Sequence, residues 1–272
     1  MTTKAKVKAV VGLTLRRVGL FEFADNVRGK LHNRSIKKQI IEFEKQNPHF
    51  VLPPSDLAYD AYRRWTPESY RNIGFEHAKY LAGLIKRHQP GVRSVAEWGC
   101  GPMRILRHMS SLLPGVRLVG LDYNPDTIAW AKNQPEFNGI ELHRNDLRPP
   151  LPLPDGEIDA IYNLSVFTHL SDALHHAYIR DLQRCLAPGG ILISTFQGDW
   201  YKSKLSPAEL QLYEQGKIVV RDQVMEGKRG YAAFHPPAFV RRLLENWEIL
   251  EHIESPDVAG LFQDVWVARK PA

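Results

Sequence analysis

From residue 91 onward the sequence alternates between short apolar runs and amphipathic segments, and this alternation restricts the fold more than any other feature. Runs of four to six residues rich in Val, Ile and Leu predict strands, and most are separated by segments with apolar residues at helical spacing. Strands that alternate with helices form a parallel sheet with helices on both faces. The predicted strands are 94–98, 117–121, 140–143, 158–162 and 191–196, and the predicted helices are 103–113, 125–133 and 171–186.

The last part of the chain breaks this alternation. A predicted helix at 237–244 is followed by two apolar runs, 248–253 and 264–268, with only a short loop containing Pro256 and Gly260 between them. Two adjacent strands without an intervening helix pair antiparallel. We therefore expect the sheet to end in a hairpin, unlike a purely parallel nucleotide-binding fold.

The N-terminal part differs from the rest in charge. Residues 1–50 contain eleven Lys or Arg and four Asp or Glu, whereas the whole chain has a net charge of +6. Pro48 and the Pro53-Pro54 pair end the helical pattern, so we expect a basic helical extension over 1–60 and the main domain over 61–272. The extension either docks on an anionic membrane face or a partner, or packs on its own domain or a sister subunit. Its predicted apolar stripe consists of Val7, Val10, Val11, Val18 and Phe21.

Composition predicts a reducing, cytoplasmic compartment. Cys100 and Cys185 cannot build a disulfide framework and neither belongs to a C-x-x-C pair. Residues 9–15 are apolar and follow several lysines, as in a signal peptide, but Arg16 and Arg17 interrupt the run and no cleavage pattern follows. No apolar run approaches the roughly 18 residues that span a bilayer.

A helix is predicted to begin at Thr66-Pro67, a capping residue followed by proline at the first helical position, and to end near His88. After it, Gly99 and Gly101 follow the first strand of the alternating region. Glycines at a strand end let the backbone approach a ligand closely. The dinucleotide fingerprint is incomplete, because Arg104 occupies its third glycine position, so this turn alone is weak evidence of a nucleotide site.

Acidic residues follow the next two strands. Asp122 ends the second strand, 21 positions after Gly101. A carboxylate at this position can accept hydrogen bonds from both hydroxyls of a ribose. A helix cap is an equally good interpretation, because Asn124 and Pro125 follow. Asp146 follows the third strand, where it either accepts a hydrogen bond from an adenine amino group or serves as a turn residue. Ligands of open α/β sheets bind at these carboxyl ends.

Together these motifs resemble the class I S-adenosylmethionine-dependent methyltransferases in order and spacing, over about residues 65–270. The resemblance implies a Rossmann-like α/β three-layer sandwich, with a seven-stranded, mostly parallel sheet whose last strand is antiparallel. It also implies S-adenosyl-L-methionine as the cofactor. The motifs are E-W-G-C-G at 97–101, G-L-D-Y-N-P at 120–125, N-D-L at 145–147, S-V-F-T-H-L at 165–170 and L-A-P-G-G at 186–190.

The resemblance also assigns roles to residues. Glu97 and the two glycines would contact the methionine moiety, Asp122 the ribose, Asp146 the adenine amino group, and Asn163 the backbone-facing side of the cofactor. Tyr70 and Arg71 resemble a lid that meets the cofactor carboxylate, although a packed Tyr and a solvated Arg are the favoured interpretation. Met103 departs from the pattern, since many members have glycine there. The predicted cofactor-binding residues are Arg71, Glu97, Gly99, Gly101, Asp122, Tyr123, Asp146, Leu147 and Asn163.

For the methyl acceptor, His169 is the predicted general base, because imidazole titrates near neutral pH. A structural histidine beside the Ser171 helix start is the alternative. His175 and His176 are expected on the surface of that helix. His235, beside Pro236 and Pro237, is expected to pack in a turn, with a place in the cleft as the alternative. Residues 197–235 are too long for a simple connection and are expected to cover the acceptor site or to form a structural or dimer-forming flap.

Three functions fit these expectations. The first is O-methylation of a small-molecule or sugar or glycan hydroxyl; the second is N-methylation of an amine or natural product; the third is a non-catalytic protein that uses the fold to bind a partner. Fold alone does not choose among acceptors. No metal-ligand spacing is present, so no metal is expected, and neither is a nucleic-acid partner; a homo-oligomer remains open.

Overall fold

The structure, a computed structural model, describes residues 21–271, and its centre is a seven-stranded sheet. The strand order is β3-β2-β1-β4-β5-β9-β8. Strands β1 to β5 run parallel, and β9 pairs antiparallel with both β5 and β8. The predicted sheet and its closing hairpin are confirmed. The strands are β1 Ser94–Trp98, β2 Arg117–Asp122, β3 Ile140–Arg144, β4 Ile158–Asn163, β5 Leu186–Phe196, β8 Glu248–Ile253 and β9 Asp264–Arg269.

The central strands are buried on both faces. Every residue of β1 and β4 is buried, because helices cover both sides of the sheet. Trp98 and Tyr178 anchor the core on one face, and Leu81 and Leu106 belong to the core on the other. The helices are α1 Phe21–Ser35, α2 Lys37–Gln46, α3 Ser55–Tyr62, α4 Pro67–His88, α5 Met109–Leu112, α6 Pro125–Lys132, α7 Asp172–Cys185, α8 Pro207–Glu214 and α9 Pro237–Leu243.

Helix α4 begins where the sequence predicts. The Thr66 side chain accepts a hydrogen bond from the Ser69 backbone N–H at 3.1 Å, and the Ser69 side chain accepts one from the Thr66 N–H at 2.7 Å. This reciprocal capping box satisfies two backbone donors at the helix start. Pro67 occupies the first helical turn, where its missing N–H costs no hydrogen bond.

The predicted helix over 103–113 is wrong in its first half. Met103 has a φ of 63°, a left-handed conformation that no helix continues. The chain then forms a short 3₁₀ turn, Leu106–His108, before α5. The carbonyl oxygen of Arg104 lies against Gly74 of α4, only 2.2 Å from where a Cβ would stand. Close packing onto α4 therefore keeps the segment between 101 and 105 a loop.

The region before the sheet is helical, as predicted for its described part. Helices α1 to α3 pack around a small apolar cluster that includes Tyr59, Trp65 and Tyr70. Of the predicted apolar stripe, four valines lie outside the described residues, and Phe21 is buried. No helix within residues 21–271 is both long and apolar enough to cross a membrane.

The insertion between β5 and α9 has its own structure. It contains a 3₁₀ segment, Asp199–Lys204, then α8, and then a two-stranded antiparallel sheet of β6 Val219–Arg221 and β7 Ala232–Phe234. The loop that joins these two strands, residues 222–231, contains Gly227 and Gly230. This loop bends back over the carboxyl ends of the large sheet.

Candidate active site

A cavity of about 400 Å³ opens at the carboxyl ends of the parallel strands. Its floor is formed by residues that follow β1, β2, β3 and β4 in the chain. Its roof comes from α3, through Asp60, Ala61 and Tyr62, and from the loop 222–231, through Gly227 and Arg229. Such a volume is typical of a small-molecule site. Residues far apart in sequence therefore enclose one ligand-sized space.

The floor is shaped by a tight glycine turn. Gly99 has a φ of 80°, and a Cβ at this position would stand 2.4 Å from a methyl carbon of Val166. Gly101 also has a positive φ, of 49°. Only glycine fits at position 99 without displacing Val166. The positive φ angles of Gly99 and Gly101 keep the backbone of the turn close to the cavity. The two glycines thus line the cavity with main chain rather than side chains.

Asp122 fixes this turn from the neighbouring strand. Its Oδ2 accepts a hydrogen bond from the Gly101 N–H at 2.9 Å, and its Oδ1 accepts one from the Asn124 N–H at 2.8 Å. Burial raises the pKa of the carboxyl above its usual value, while these two backbone donors oppose the rise. Asp122 also lines the cavity, so a carboxylate borders the glycine turn.

Glu97 is a second, deeper carboxyl in the wall. It is 3% exposed, and its Oε2 accepts a hydrogen bond from the Tyr162 hydroxyl at 2.9 Å. Burial raises the pKa of Glu97 to about 8, although the hydrogen bond and the charge of Arg104 act in the opposite direction. At neutral pH this carboxyl is therefore mostly protonated, and a cation bound nearby would favour its ionised form.

Several buried polar atoms in the wall have no hydrogen-bond partner within the described chain. They are the Tyr62 hydroxyl, His77 Nδ1, Arg104 Nε and Asn145 Oδ1. Unpaired buried polar atoms are rare in native proteins because each costs free energy. Four of them around one cavity indicate a polar ligand that offers both donors and acceptors.

His169 closes the wall near the roof. Its Nδ1 lies 2.9 Å from the carbonyl oxygen of Tyr231, which can only accept, so Nδ1 carries the proton and Nε2 keeps a lone pair. The Gly227 N–H donates to the His169 carbonyl at 2.9 Å and holds the loop 222–231 against it. Burial lowers the pKa of His169, so its imidazole is neutral at pH 7.

Three of the predicted cofactor residues lie outside the cavity wall. The Arg71 guanidinium donates to Asn47 Oδ1 at 2.7 Å and stacks 5.0 Å above the Phe43 ring, which directs it toward α2. Asp146 is exposed, whereas its neighbour Asn145 is buried in the wall. Asn163 is fully buried and donates to Ser194 Oγ at 2.7 Å, one strand away. The predicted residues that do line the cavity are Glu97, Gly99, Gly101, Asp122, Tyr123, Leu147 and His169.

Two further expectations about side chains need correction or refinement. His175 was expected on the surface but is fully buried, with its Nε2 only 2.8 Å from Nε2 of His235. A tightly packed core around Phe167 and Phe239 encloses both rings. Tyr70 is a packed residue whose hydroxyl donates to the Pro102 carbonyl, so the plain interpretation of that tyrosine is the better one.

The residues that sequence reasoning missed are Arg104, Asn145, Tyr62 and the roof residue Arg229. Asn145 directly precedes the predicted Asp146, and Arg104 was a usable signal because it occupies the third glycine position of the dinucleotide fingerprint. No sequence signal marked Tyr62 and Arg229, because only folding of the chain brings these residues over the sheet. Among residues 21–271, no group of three His, Cys, Asp or Glu side chains is arranged to hold a metal ion.

Comparison with known proteins finds a family model that matches the part of the chain from β1 to β5. Residues 96–194 match the family described as methyltransferase domain. The chain is 32% identical over 111 residues to a probable S-adenosylmethionine-dependent methyltransferase of Mycolicibacterium smegmatis, which is 40% of each protein. It is 26% identical over 138 residues to trans-aconitate 2-methyltransferase of Escherichia fergusonii, 50% of this chain and 52% of that one. The matches thus span about half or less of these relatives.

Solved structures share the fold at low identity. The SAM-bound amino pentose methyltransferase CalS10 of Micromonospora echinaspora superposes with a TM-score of 0.55 at 18% identity, covering 82% of this chain and 98% of that one. A SAM-dependent methyltransferase of Methanosarcina mazei gives a TM-score of 0.53 at 17% identity, covering 69% and 97%. These similarities concern the arrangement of the sheet and its helices.

Proposed function

We propose that this chain is a class I S-adenosylmethionine-dependent methyltransferase that methylates a hydroxyl group of a small-molecule or sugar-like acceptor. Its match to the methyltransferase domain over residues 96–194 and its similarity to S-adenosylmethionine-dependent enzymes support the proposal. The observation that carries the proposal is the position of His169. Its neutral imidazole lies in the wall of the same cavity as the glycine turn and Asp122. A proton acceptor and a nucleotide-type floor thus share one enclosed space.

The wall residues fit the family's cofactor. Asp122 would accept hydrogen bonds from the ribose hydroxyls, and the unpaired Asn145 Oδ1 would accept one from the adenine amino group. Arg104, with its unpaired Nε, is suited to the methionine carboxylate, and Glu97 to a cationic group. When bound, S-adenosylmethionine supplies an electrophilic methyl group.

His169 would act on the acceptor. The Tyr231 carbonyl fixes the proton on Nδ1, so Nε2 is the nitrogen that can take a proton from a hydroxyl. Burial keeps the ring neutral, which preserves this lone pair at physiological pH. The roof excludes water from the reacting groups and holds the acceptor in line, since methyl transfer depends mainly on alignment.

The acceptor side of the cavity suits a polyhydroxylated ring. Tyr201 and Gln263 contribute polar groups to the wall. Phe262 lines the same region and stacks on Trp200, with ring centroids 4.4 Å apart and planes inclined by 6°. A sugar offers hydroxyls to polar groups and a C–H face to an aromatic ring, and both are available here.

N-methylation of an amine is the second candidate, and Asp60 favours it. Asp60 lines the cavity, with its carboxylate 3.8 Å from the Arg229 guanidinium, and could also pair with an ammonium group before that group loses a proton to His169. A third candidate, a protein that binds the cofactor without transferring methyl groups, predicts binding but no turnover. Labelled-methyl transfer to a panel of sugars, phenols, lipids and amines distinguishes the three.

The role of His169 is tested by His169→Ala, with His176→Ala as the matched control. His176 is an exposed histidine on α7, 3.6 Å from Asp172 and outside the cavity wall. Loss of a general base typically lowers turnover about 10²–10⁴-fold, so we expect at least a 100-fold loss with nearly unchanged cofactor affinity. His176→Ala should keep full turnover. A His169→Ala enzyme that retains most of its turnover would exclude His169 as the base.

A further inference from the structure

Helix α1 buries one row of residues against the roof of the cavity. Phe21, Asp25 and Gly29, spaced four residues apart, are all buried. The Arg229 guanidinium donates to Asp25 Oδ2, and the Tyr59 ring lies 2.8 Å from where a Cβ on Gly29 would stand. Because Arg229 itself lines the cavity, α1 forms the outer layer of the roof.

The opposite side of α1 exposes a second row with the same spacing, and this row is apolar. Phe23 is 69% exposed, Val27 42% and Leu31 59%. At about 100° per residue the two rows lie roughly 160° apart on the helix. A helix that covers a globular domain normally turns polar residues outward. Contiguous exposed apolar side chains indicate an interaction surface.

Basic residues flank the exposed row, and Glu22, directly before Phe23, is the exposed acidic side chain of α1. Lys30 and Arg34 lie on the same side of α1, within one turn of Leu31. Residues 1–20, which directly precede α1, contain five Lys or Arg and no Asp or Glu. The one acidic side chain of the inner row, Asp25, is neutralised by Arg229 and by Arg63 at 3.7 Å. Around the apolar row, the basic side chains therefore outnumber the one exposed acidic side chain of α1.

We propose that α1 docks in the plane of an anionic lipid surface through Phe23, Val27 and Leu31. Apolar residues that enter the headgroup boundary, with basic residues beside them contacting anionic lipids, are the pattern of an interfacial helix. A row of three side chains is far smaller than the roughly 800 Å² per subunit that a stable dimer buries. The proposal does not depend on the acceptor, because it concerns the outer face of the roof.

The test is co-sedimentation of the full chain with vesicles of phosphatidylcholine alone or mixed with phosphatidylglycerol. The variant is Phe23→Ser/Leu31→Ser, which removes the largest apolar groups and changes no charge. Leu212→Ser is the matched control, since Leu212 is 43% exposed on α8, a different element. Thermal unfolding and S-adenosylhomocysteine binding verify that each variant is folded.

We expect the full chain to bind the anionic vesicles, with weaker binding at high salt, and to bind neutral vesicles poorly. The double variant should partition about tenfold less, and Leu212→Ser should partition like the parent. Equal partitioning of the parent and the double variant overturns the proposal, because the basic N-terminus alone would then account for binding. A shift from dimer to monomer in the double variant with unchanged partitioning also overturns it, since the row would be a subunit contact.

Discussion

The guanidinium carbon of Arg104 lies 4.2 Å from the centre of the Tyr62 ring, and both residues line the cavity. This cation–π contact spans the boundary between the floor and the roof. It holds a positive charge in a partly desolvated position, where such contacts are strongest. Arg104 therefore lines the cavity, whereas Arg71, which was expected to meet the cofactor carboxylate, lies outside it.

The first prediction compares these two arginines. Arg104→Gln should weaken binding of S-adenosylhomocysteine by roughly 10- to 150-fold, because a charge-assisted hydrogen bond contributes about 1.5–3 kcal/mol. Arg71→Gln should leave the affinity within about twofold, because Arg71 pairs with Asn47 outside the cavity. Isothermal titration calorimetry measures both affinities. A larger loss from Arg71→Gln would return the carboxylate-binding role to α4.

The second prediction concerns the proton on Glu97. Its pKa of about 8 means that the carboxyl holds a proton at pH 7 in the ligand-free protein. A bound cation lowers that pKa, so binding of S-adenosylmethionine should release up to about one proton. Calorimetry in two buffers of different ionisation enthalpy counts the protons. Glu97→Gln should abolish the difference between the buffers, and equal heats for the parent protein would contradict the assignment.

The third prediction uses two glycines of the same helix. Gly74→Ala places a Cβ 2.2 Å from the Arg104 carbonyl, so the helix or the loop must shift. We expect a loss of about 1–3 kcal/mol in stability, typical of overpacking, together with weaker cofactor binding. Gly83→Ala meets no atom within 4 Å and should stabilise α4 by up to about 1 kcal/mol. Denaturant unfolding compares the two, and equal effects would refute this account of the packing.

The fourth prediction concerns acid stability. The Gln197 N–H donates to His235 Nδ1, and the Ser171 carbonyl accepts from His175 Nδ1, so the two rings share one proton between their Nε2 atoms when both are neutral. Burial lowers the pKa of His175 to about 4 and that of His235 well below its usual value. Because folding disfavours their protonation, their contribution is complete above pH 6.5 and is lost as the pH falls toward 4.

Replacing both histidines by glutamine, His175→Gln/His235→Gln, should flatten this dependence. The lowered pKa of His175 alone corresponds to about 3 kcal/mol between pH 6.5 and 4, at 1.36 kcal/mol per pH unit. Unfolding temperatures measured across this range should decline less steeply in the double variant than in the parent. His176→Gln, exposed on the same helix, should decline like the parent. If the unfolding temperature of the double variant depends on pH as steeply as that of the parent, other titrating groups dominate the acid sensitivity.

The sheet was predictable because its signals are local. Each buried strand is a short apolar run, and α4 carries its own start signal at Thr66 and Pro67. The missing half of the 103–113 helix was not predictable, since it depends on the close packing of the Arg104 backbone against Gly74, 30 residues away. Local pattern does not report such long-range packing.

The residues of the candidate site also fall into two groups, those that local sequence predicts and those that long-range contacts place. Gly99, Gly101 and Asp122 lie within one turn of a strand end, so chain order alone brings them to the sheet edge. Arg229 and Tyr62 reach the cavity only through contacts between distant segments, such as the Asp25–Arg229 pair, 204 residues apart. His169 was found by its position after β4, whereas its fixed tautomer depends on Tyr231, 62 residues further along the chain.

The position of β9 has a consequence for synthesis of the protein in the cell. This strand lies between β5 and β8 and ends at Arg269. It can therefore take its place inside the sheet only after residue 269 has emerged from the ribosome. Until then the buried edge of β5, with Ile191 and Ile193, has no neighbour on that side. An unpaired apolar strand edge favours association between nascent chains. Chaperone contact during translation should therefore concentrate in the interval between the emergence of β5 and that of β9.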